Sequence, residues 1–279
     1  MKYIEALSLQ EALEILAGDD EARCLAGGAT LVAMMNADLI APSTLISLRR
    51  IEELKGISAV DNYIRIGAMN THSDVANAEQ LLSGNAFVIR DAARQIAHPA
   101  IRNMGTIGGS ICHADPASDF PGSLVAANAE LEIIGTDGLR QIPVQDFFVD
   151  YLETSLQEGE VLTAILVPTT HSQAHGRHLK FSRTHGDYAT VSVSLVLSMQ
   201  SDVCNYARVA IGSVAPTPLH LDTVDNILTG SKLNDDVLDD AANLLQEACD
   251  PIDDVRGSAE YRRKIIPGLL KRAIAEALG

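Results

Sequence analysis

The sequence predicts an α+β protein, and three observations carry the prediction. Strand-like and helix-like segments alternate along the chain without the strict strand–helix–strand rhythm of a doubly wound sheet. The strand-like segments are period-two or continuous apolar runs, at Thr44–Leu48, Tyr63–Ile66, Glu130–Ile134, Val161–Val167, Thr190–Met199 and Tyr206–Val214. At 279 residues and 47% hydrophobic, the chain has room for two domains and a substantial core.

Taken in order, Ser8–Leu16 carries Leu9, Leu13, Ile15 and Leu16 at the spacing of a short amphipathic helix. Gly27-Gly28 follows, and after it Leu31, Val32, Met34, Met35 and Leu39 fit one helical face, with Thr30 as an oxygen-bearing cap. Helical patterns recur at Thr71–Leu82 and Phe87–Ala97. Beyond a second pair, Gly108-Gly109, Pro116 sits where a helix can begin, with Phe120, Leu124 and Val125 at helical spacing. Pro168-Thr169-Thr170-His171-Ser172 is polar, opens with proline and follows an apolar strand, which makes it the domain boundary. Helices at Thr223–Leu228, Leu238–Ala248 and Ser258–Leu278 close the chain; Ser258 is an N-cap and Pro267 should kink the last helix.

Composition excludes several classes. A net charge of −16 argues against a nucleic-acid partner, because phosphate backbones are held by a basic face. Much of the acid lies in Asp235–Asp254, read as the solvated side of a helical hairpin. No apolar run approaches the ~20 residues of a transmembrane segment. Met1-Lys2-Tyr3-Ile4-Glu5 lacks the features of a signal peptide, so a cytoplasmic protein is expected. Cys24, Cys112, Cys204 and Cys249 form no Cys-x-x-Cys pair, so neither a zinc nor an iron–sulfur site is expected in this chain, and buried thiols are.

The candidate chemistry centres on the two glycine pairs. Glycine permits positive φ and close backbone approach, and successive amides in such a turn can form an anion cradle. Two such loops, each read as a strand-to-helix turn, could grip the two ends of one pyrophosphate. Neither is Gly-x-Gly-x-x-Gly followed by a distant acid, so this is not a Rossmann fingerprint. Asp115 and Asp119 would share one face if helical, suited to acid–base work or to binding ribose or ribityl hydroxyls, although Asp115 before Pro116 also reads as a cap. His171, His175, His178 and His185 cluster within fifteen residues, but Gly176 and a flanking strand favour a loop over a metal site. There is no Gly-x-Ser-x-Gly, hence no sign of a nucleophilic triad.

Ala26-Gly27-Gly28, then Ile101-Arg102-Asn103-Met104-Gly105-Thr106-Ile107-Gly108-Gly109-Ser110, then His113-Ala114-Asp115-Pro116-Ala117-Ser118-Asp119 resemble the flavoprotein (medium) subunit of molybdenum hydroxylases. Carbon monoxide dehydrogenase medium subunits and the FAD portion of xanthine dehydrogenase are of this group. Gly186-Asp187-Tyr188-Ala189-Thr190 and Arg256-Gly257-Ser258-Ala259-Glu260-Tyr261-Arg262 extend the resemblance to the end of the chain.

The resemblance implies a two-lobed FAD-binding domain of the vanillyl-alcohol-oxidase (PCMH) type over residues 1–170, with lobes of about 1–55 and 56–170. A C-terminal α+β domain would follow over 171–279. It implies that Ala26, Gly27, Gly28, Ala29, Thr30 and Leu31, with Thr106, Ile107, Gly108, Gly109 and Ser110, hold the FAD pyrophosphate and ribityl chain. Asp119, with Asp115 nearby, would bind cofactor hydroxyls; Ile96 and Leu162 would be apolar contacts; Lys180 and Tyr188 would approach the flavin from the C-terminal domain. Ser110 stands where many relatives have asparagine, and Cys112 replaces a common small residue, read as a packed thiol rather than a covalent flavin link.

The chain would then be the FAD-carrying electron-transfer subunit of an oxidoreductase. Its partners would be a large subunit with molybdenum–pterin and a small subunit with 2Fe-2S clusters, in a dimer of heterotrimers. Substrate and electron acceptor stay open. The rival readings are a self-sufficient flavin oxidase of the same fold and a cofactor-free assembly subunit.

Overall fold

The structure, a computed structural model, describes Met1–Gly279. The N-terminal part is a three-stranded parallel sheet. It is built from β1 (Lys2–Glu5), α1 (Leu9–Gly18), β2 (Arg23–Leu25), α2 (Leu31–Asn36) and β3 (Thr44–Ser47), in the order β1-β3-β2. Ser8 caps α1 by accepting from the Glu11 amide, while the Glu11 carboxylate accepts from the Leu7 amide, so two end donors are satisfied at once. Ala12 and Leu13 of α1 pack with Ile46, Ile51 and Leu54 in a small core.

The middle part contains β4 (Ile57–Val60), β5 (Tyr63–Gly67), α3 (His72–Asn77), α4 (Phe87–Gln95), α5 (Pro99–Arg102), α6 (Ile107–His113) and α7 (Asp119–Ala126). It continues with β6 (Glu130–Gly135), β7 (Gly138–Pro143), a small hairpin of β8 (Phe148–Asp150) and β9 (Glu153–Thr154), and β10 (Val161–Pro168). Its antiparallel sheet has the order β4-β5-β10-β6-β7. The centre strand β10 is buried from Val161 to Val167, which explains its apolar sequence; Thr163, the one polar residue there, hydrogen-bonds to Glu132. Val161 joins the small N-terminal core and Leu162 the main one, so one strand start ties the two parts together.

The C-terminal part is a four-stranded antiparallel sheet of β11 (His175–Phe181), β12 (Val191–Gln200), β13 (Val203–Gly212) and β14 (Leu219–His220), covered by α8 (Asp222–Leu228), α9 (Asp235–Ala248) and α10 (Ala259–Leu278). Alternation decides which way β12 faces. Val191, Val193, Leu195 and Leu197 enter the core under α8–α10, whereas Val196 enters the core of the middle part. Ser192 and Ser194 lie on that second side, with the Ser194 hydroxyl beside Gly122 of α7.

Local expectations shift at four places. The helix expected over Thr71–Leu82 stops at Asn77, where Ala78 turns extended (ψ 126°) and a 3-10 turn takes over. The helix expected through Ala97 ends at Gln95; Ile96 is extended and Ala97 has φ +41°. Both their carbonyls accept from Arg102 Nη1, at 2.8 and 3.0 Å. The helix expected from Pro116 begins at Asp119, so Asp115 and Asp119 do not share a helix face. Gly108-Gly109 lie inside the first turn of α6 and follow helix α5, not a strand. α10 runs through Pro267 as one helix.

Candidate functional site

A cavity of about 730 Å³ lies where the three parts meet, within the usual range for cofactor-sized ligands. Ala26–Leu31 border it from the N-terminal part; Thr106, Gly108, Gly109 and Ser110 from α6 and its cap; Leu162 from β10; and Gly186, Asp187 and Tyr188 from the loop before β12. Ile96 and Asp119 complete the set of expected residues on its wall.

The segment after β2 is the most distinctive part of this wall. None of the six amides from Ala26 to Leu31 donates to a protein acceptor. Gly28 has φ +79°, a conformation that disfavours a side chain. A Cβ on Gly27 would overlap the Met104 carbonyl oxygen, so glycine here is a matter of close approach. The loop is half-buried, and unpaired amides in such a place call for an acceptor. Successive free amides on a concave wall suit a phosphate or pyrophosphate.

The second glycine pair corrects the expectation that both loops are built alike. Neither Gly108 nor Gly109 has positive φ. The amides of Ile107, Gly108 and Ser110 donate to the carbonyls of Asn70, Ala68 and Thr106, and that of Gly109 to Thr106 Oγ1 at 3.1 Å. A Cβ on Gly108 would come 2.6 Å from the Ala68 Cβ, so this glycine exists for helix–strand packing. What α6 offers a ligand is its surface, Gly109 beside Ala26, and the hydroxyls of Thr106 and Ser110.

Three further residues sit elsewhere than expected. Ile107 is fully buried in the main core, because its side chain leaves the first turn of α6 away from the cavity. Asp115 accepts from the Ala117 amide at 2.8 Å in the turn ahead of α7, whose N-cap is Ser118, so it neither caps a helix nor lines the cavity. Lys180 stands behind the wall, with its ammonium on Asp119 Oδ2 and the Gln95 carbonyl, both at 2.9 Å.

Asp119 is therefore the centre of a buried network between the middle and C-terminal parts. Its Oδ1 accepts from His178 Nε2 at 3.0 Å, and His178 Nδ1 lies 2.8 Å from Ser194 Oγ. Burial alone would raise the Asp119 pKa, but the contacts to His178 and Lys180 outweigh it, and the carboxyl is held below its usual range. Ser194, His178 and Asp119 have the connectivity of a hydrolytic triad. Ser194 is 1% exposed and His178 0%, so no substrate reaches the hydroxyl. A carboxylate offers about four acceptor positions, and Asp119 spends two of them on protein.

Sequence reasoning missed His72 and Ser118. His72 Nδ1 and Ser118 Oγ are buried without a partner, and both residues line the cavity. Burial pushes the His72 pKa down to about 4, only partly opposed by Asp119, so the ring is neutral at pH 7 and can accept or donate one hydrogen bond. The polar segment Thr71-His72-Ser73-Asp74 reads only as a helix start. Cys24 and Cys112 also line the wall, and burial pushes both thiols up to about 12. Protonated thiols are poor nucleophiles, which supports a packed Cys112. The histidine cluster does not converge: His171 stacks on Tyr206 at 3.7 Å, His175 is exposed, and His178 is committed as described.

A free-amide loop, two unpaired polar atoms and an apolar flank of Ile96 and Leu162 fit a ligand with a phosphate portion, hydroxyls and a flat apolar ring. FAD has those three parts.

Comparison with known proteins points the same way. The family model for the FAD-binding domain in molybdopterin dehydrogenase matches residues 1–170, and the model for the carbon monoxide dehydrogenase flavoprotein C-terminal domain matches residues 178–277. The chain is 35% identical to the glyceraldehyde dehydrogenase medium chain of Sulfolobus acidocaldarius, over 98% of this chain and 97% of the relative. It is 35% identical to the carbon monoxide dehydrogenase medium chain of Afipia carboxidovorans, over 99% and 96%. Among solved structures, reconstituted CO dehydrogenase from Oligotropha carboxidovorans superimposes with a TM-score of 0.96 at 34% identity, covering 99% of this chain and 97% of that one.

Proposed function

We propose, because the chain belongs to the family of FAD-binding medium subunits of molybdenum-containing dehydrogenases, that it is the electron-transfer subunit of such a complex. Its partners would be a large subunit with the molybdenum–pterin centre, where substrate is oxidised, and a small subunit whose 2Fe-2S clusters deliver the electrons. A dimer of such heterotrimers in the cytoplasm is part of the same proposal. Domains over 1–170 and 171–279 are as well.

The observation that carries the reading is the run of unspent amides from Ala26 to Leu31 in the wall of a cavity of the right size. In this reading those amides hold the pyrophosphate, and Thr106 and Ser110 supply hydroxyls beside it. Asp119, fixed by His178 and Lys180, accepts from cofactor hydroxyls with its remaining lone pairs. Ile96, Leu162 and Tyr188 exclude water around the ring system. Bound there, FAD would supply the redox chemistry between the partner clusters and an external acceptor.

The absorption spectrum of the purified chain tests this, followed by mass analysis of the chromophore released on heating. Released FAD at about one per chain is expected. A colourless protein that also fails to take up added FAD would overturn the reading in favour of a cofactor-free assembly subunit. Turnover without partner chains would favour a self-sufficient oxidase.

A further inference from the structure

Tyr188 borders the cofactor cavity, is 42% exposed, and its phenol makes no hydrogen bond to protein. A ring so placed has no polar anchor of its own. What lies on it is Arg256, whose guanidinium carbon sits over the ring, 5.0 Å from the centroid, within the reach of a cation–π attraction. Arg256 does not line the cavity, so the ring stands between the cation and the cofactor space.

The chain around Arg256 is built to bring it there. Asp254 Oδ1 accepts from the amides of Arg256 and Gly257 at 2.7 and 3.2 Å, and its Oδ2 accepts from Arg256 Nη1 at 3.0 Å. One carboxylate thus fixes both the backbone and the head of Arg256. The same segment grips the loop that carries Tyr188. Thr190 Oγ1 donates to the Arg256 carbonyl at 3.1 Å. Arg262, 2% exposed, donates to the Thr190 carbonyl at 2.6 Å and pairs with Asp254. A Cβ on Gly257 would stand only 3.1 Å from Thr190 Cγ2, closer than a carbon–carbon contact normally comes. The two segments that extend the sequence resemblance to the end of the chain, 186–190 and 256–262, are therefore one structural unit.

We propose that Arg256 is a positioning residue for the cofactor: it holds the Tyr188 ring against the cavity from behind, and touches no part of the ligand itself. The proposal rests on the FAD reading for what the ring covers. Asp254 and Thr190 set the place of Arg256, and Arg256 sets the place of the ring.

A double-mutant cycle on the full chain tests this, with FAD dissociation constants read by flavin fluorescence. Arg256→Gln is expected to weaken FAD binding about 5-fold, the size that one cation–π contact supports. Arg256→Lys keeps a cation and should recover most of that loss. In a Tyr188→Leu background, Arg256→Gln should add less than about 2-fold. In Tyr188→Phe the effect of about 5-fold should persist, because the ring face remains. Equal losses in the wild-type and Tyr188→Leu backgrounds, or no loss in either, overturn the proposal, since an Arg256 that merely braces its own loop acts whatever residue stands at 188. The main-chain contacts of Arg256 survive in every variant, so urea unfolding of the FAD-free proteins should stay close to wild type. A large loss of stability in Arg256→Gln that Arg256→Lys shares would make the residue structural and overturn its positioning role. A wild type that takes up no FAD overturns the FAD reading itself, a result distinct from one that binds FAD without coupling between the two residues.

Discussion

The two glycine loops contain the same dipeptide and are built for different purposes. From Ala26 to Leu31 the backbone leaves every amide unspent, and Gly27 is glycine because the Met104 carbonyl lies where a Cβ would be. From Ile107 to Ser110 every amide is paired within the protein, and Gly108 is glycine because α6 rests on Ala68. One loop is a ligand surface; the other is the packed floor that holds it in position. A motif match across both therefore mixes a binding signal with a folding signal, and only the hydrogen-bond accounting separates them.

Substitutions can break this contrast. Gly27→Ala carries the largest expected effect on FAD. The added Cβ must push the loop off Met104, and losing two charge-assisted amide contacts costs about 3–6 kcal/mol, a drop in FAD affinity of about 100-fold or more by flavin fluorescence. The fold should survive, because residues 26–31 contribute no buried side chain; retained FAD affinity would remove the loop from the site. Gly108→Val should instead act on stability, with overpacking of about 1–3 kcal/mol visible in urea unfolding of the FAD-free protein. Unchanged stability there would mean that the two loops are alike after all.

His72 provides a pH test of the wall between them. Its folded pKa, about 4, lies below the ordinary 6.5, so the unfolded chain binds the extra proton first. The cost is absent above about pH 6.5, grows as pH falls, and is complete below about 4, at about 3 kcal/mol for a shift of this size. Urea unfolding at pH 7 and pH 4.5 should show a smaller loss for His72→Gln than for wild type. An equal loss would place the titration elsewhere. The smallest effect is expected from Gly109→Ala, whose Cβ would meet only Thr106 Oγ1 at 3.0 Å and the Ala26 Cβ at 3.5 Å. FAD affinity should change by less than about 10-fold. A larger loss would show that the cofactor itself occupies the space beside Gly109.

Much of the fold was legible because local pattern and burial agree. The runs at Thr44–Leu48, Val161–Val167 and Thr190–Met199 are strands buried on both faces, as their apolar content indicates, and Ser8 and Ser258 cap the helices they precede. Boundaries failed where contacts beyond the helix pattern matter: Arg102, from the next helix, holds the extended turn at Ile96 and Ala97, and α7 starts at Asp119 after a turn at Asp115–Ser118. In the site, the residues after β2 were legible as a glycine turn before an apolar helix. The roles of Ile107, Asp115 and Lys180 were not, since a side chain's direction depends on where its element starts and what lies against it. His72 and Ser118 carried no motif; their importance lies in lacking a partner, and that is a property of the packed structure.

The sequence by itself determined the α+β class, the family to which the chain belongs and the stretches that border the cavity, because hydrophobic period and glycine placement are written locally. Tertiary structure alone decided which glycine loop keeps its amides free, which side of β12 meets which core, and how Asp119 is held between His178 and Lys180. Those outcomes depend on contacts between segments far apart in sequence, such as Asp119 with Lys180 and Gly27 with Met104, and no local pattern encodes which donors such contacts will consume.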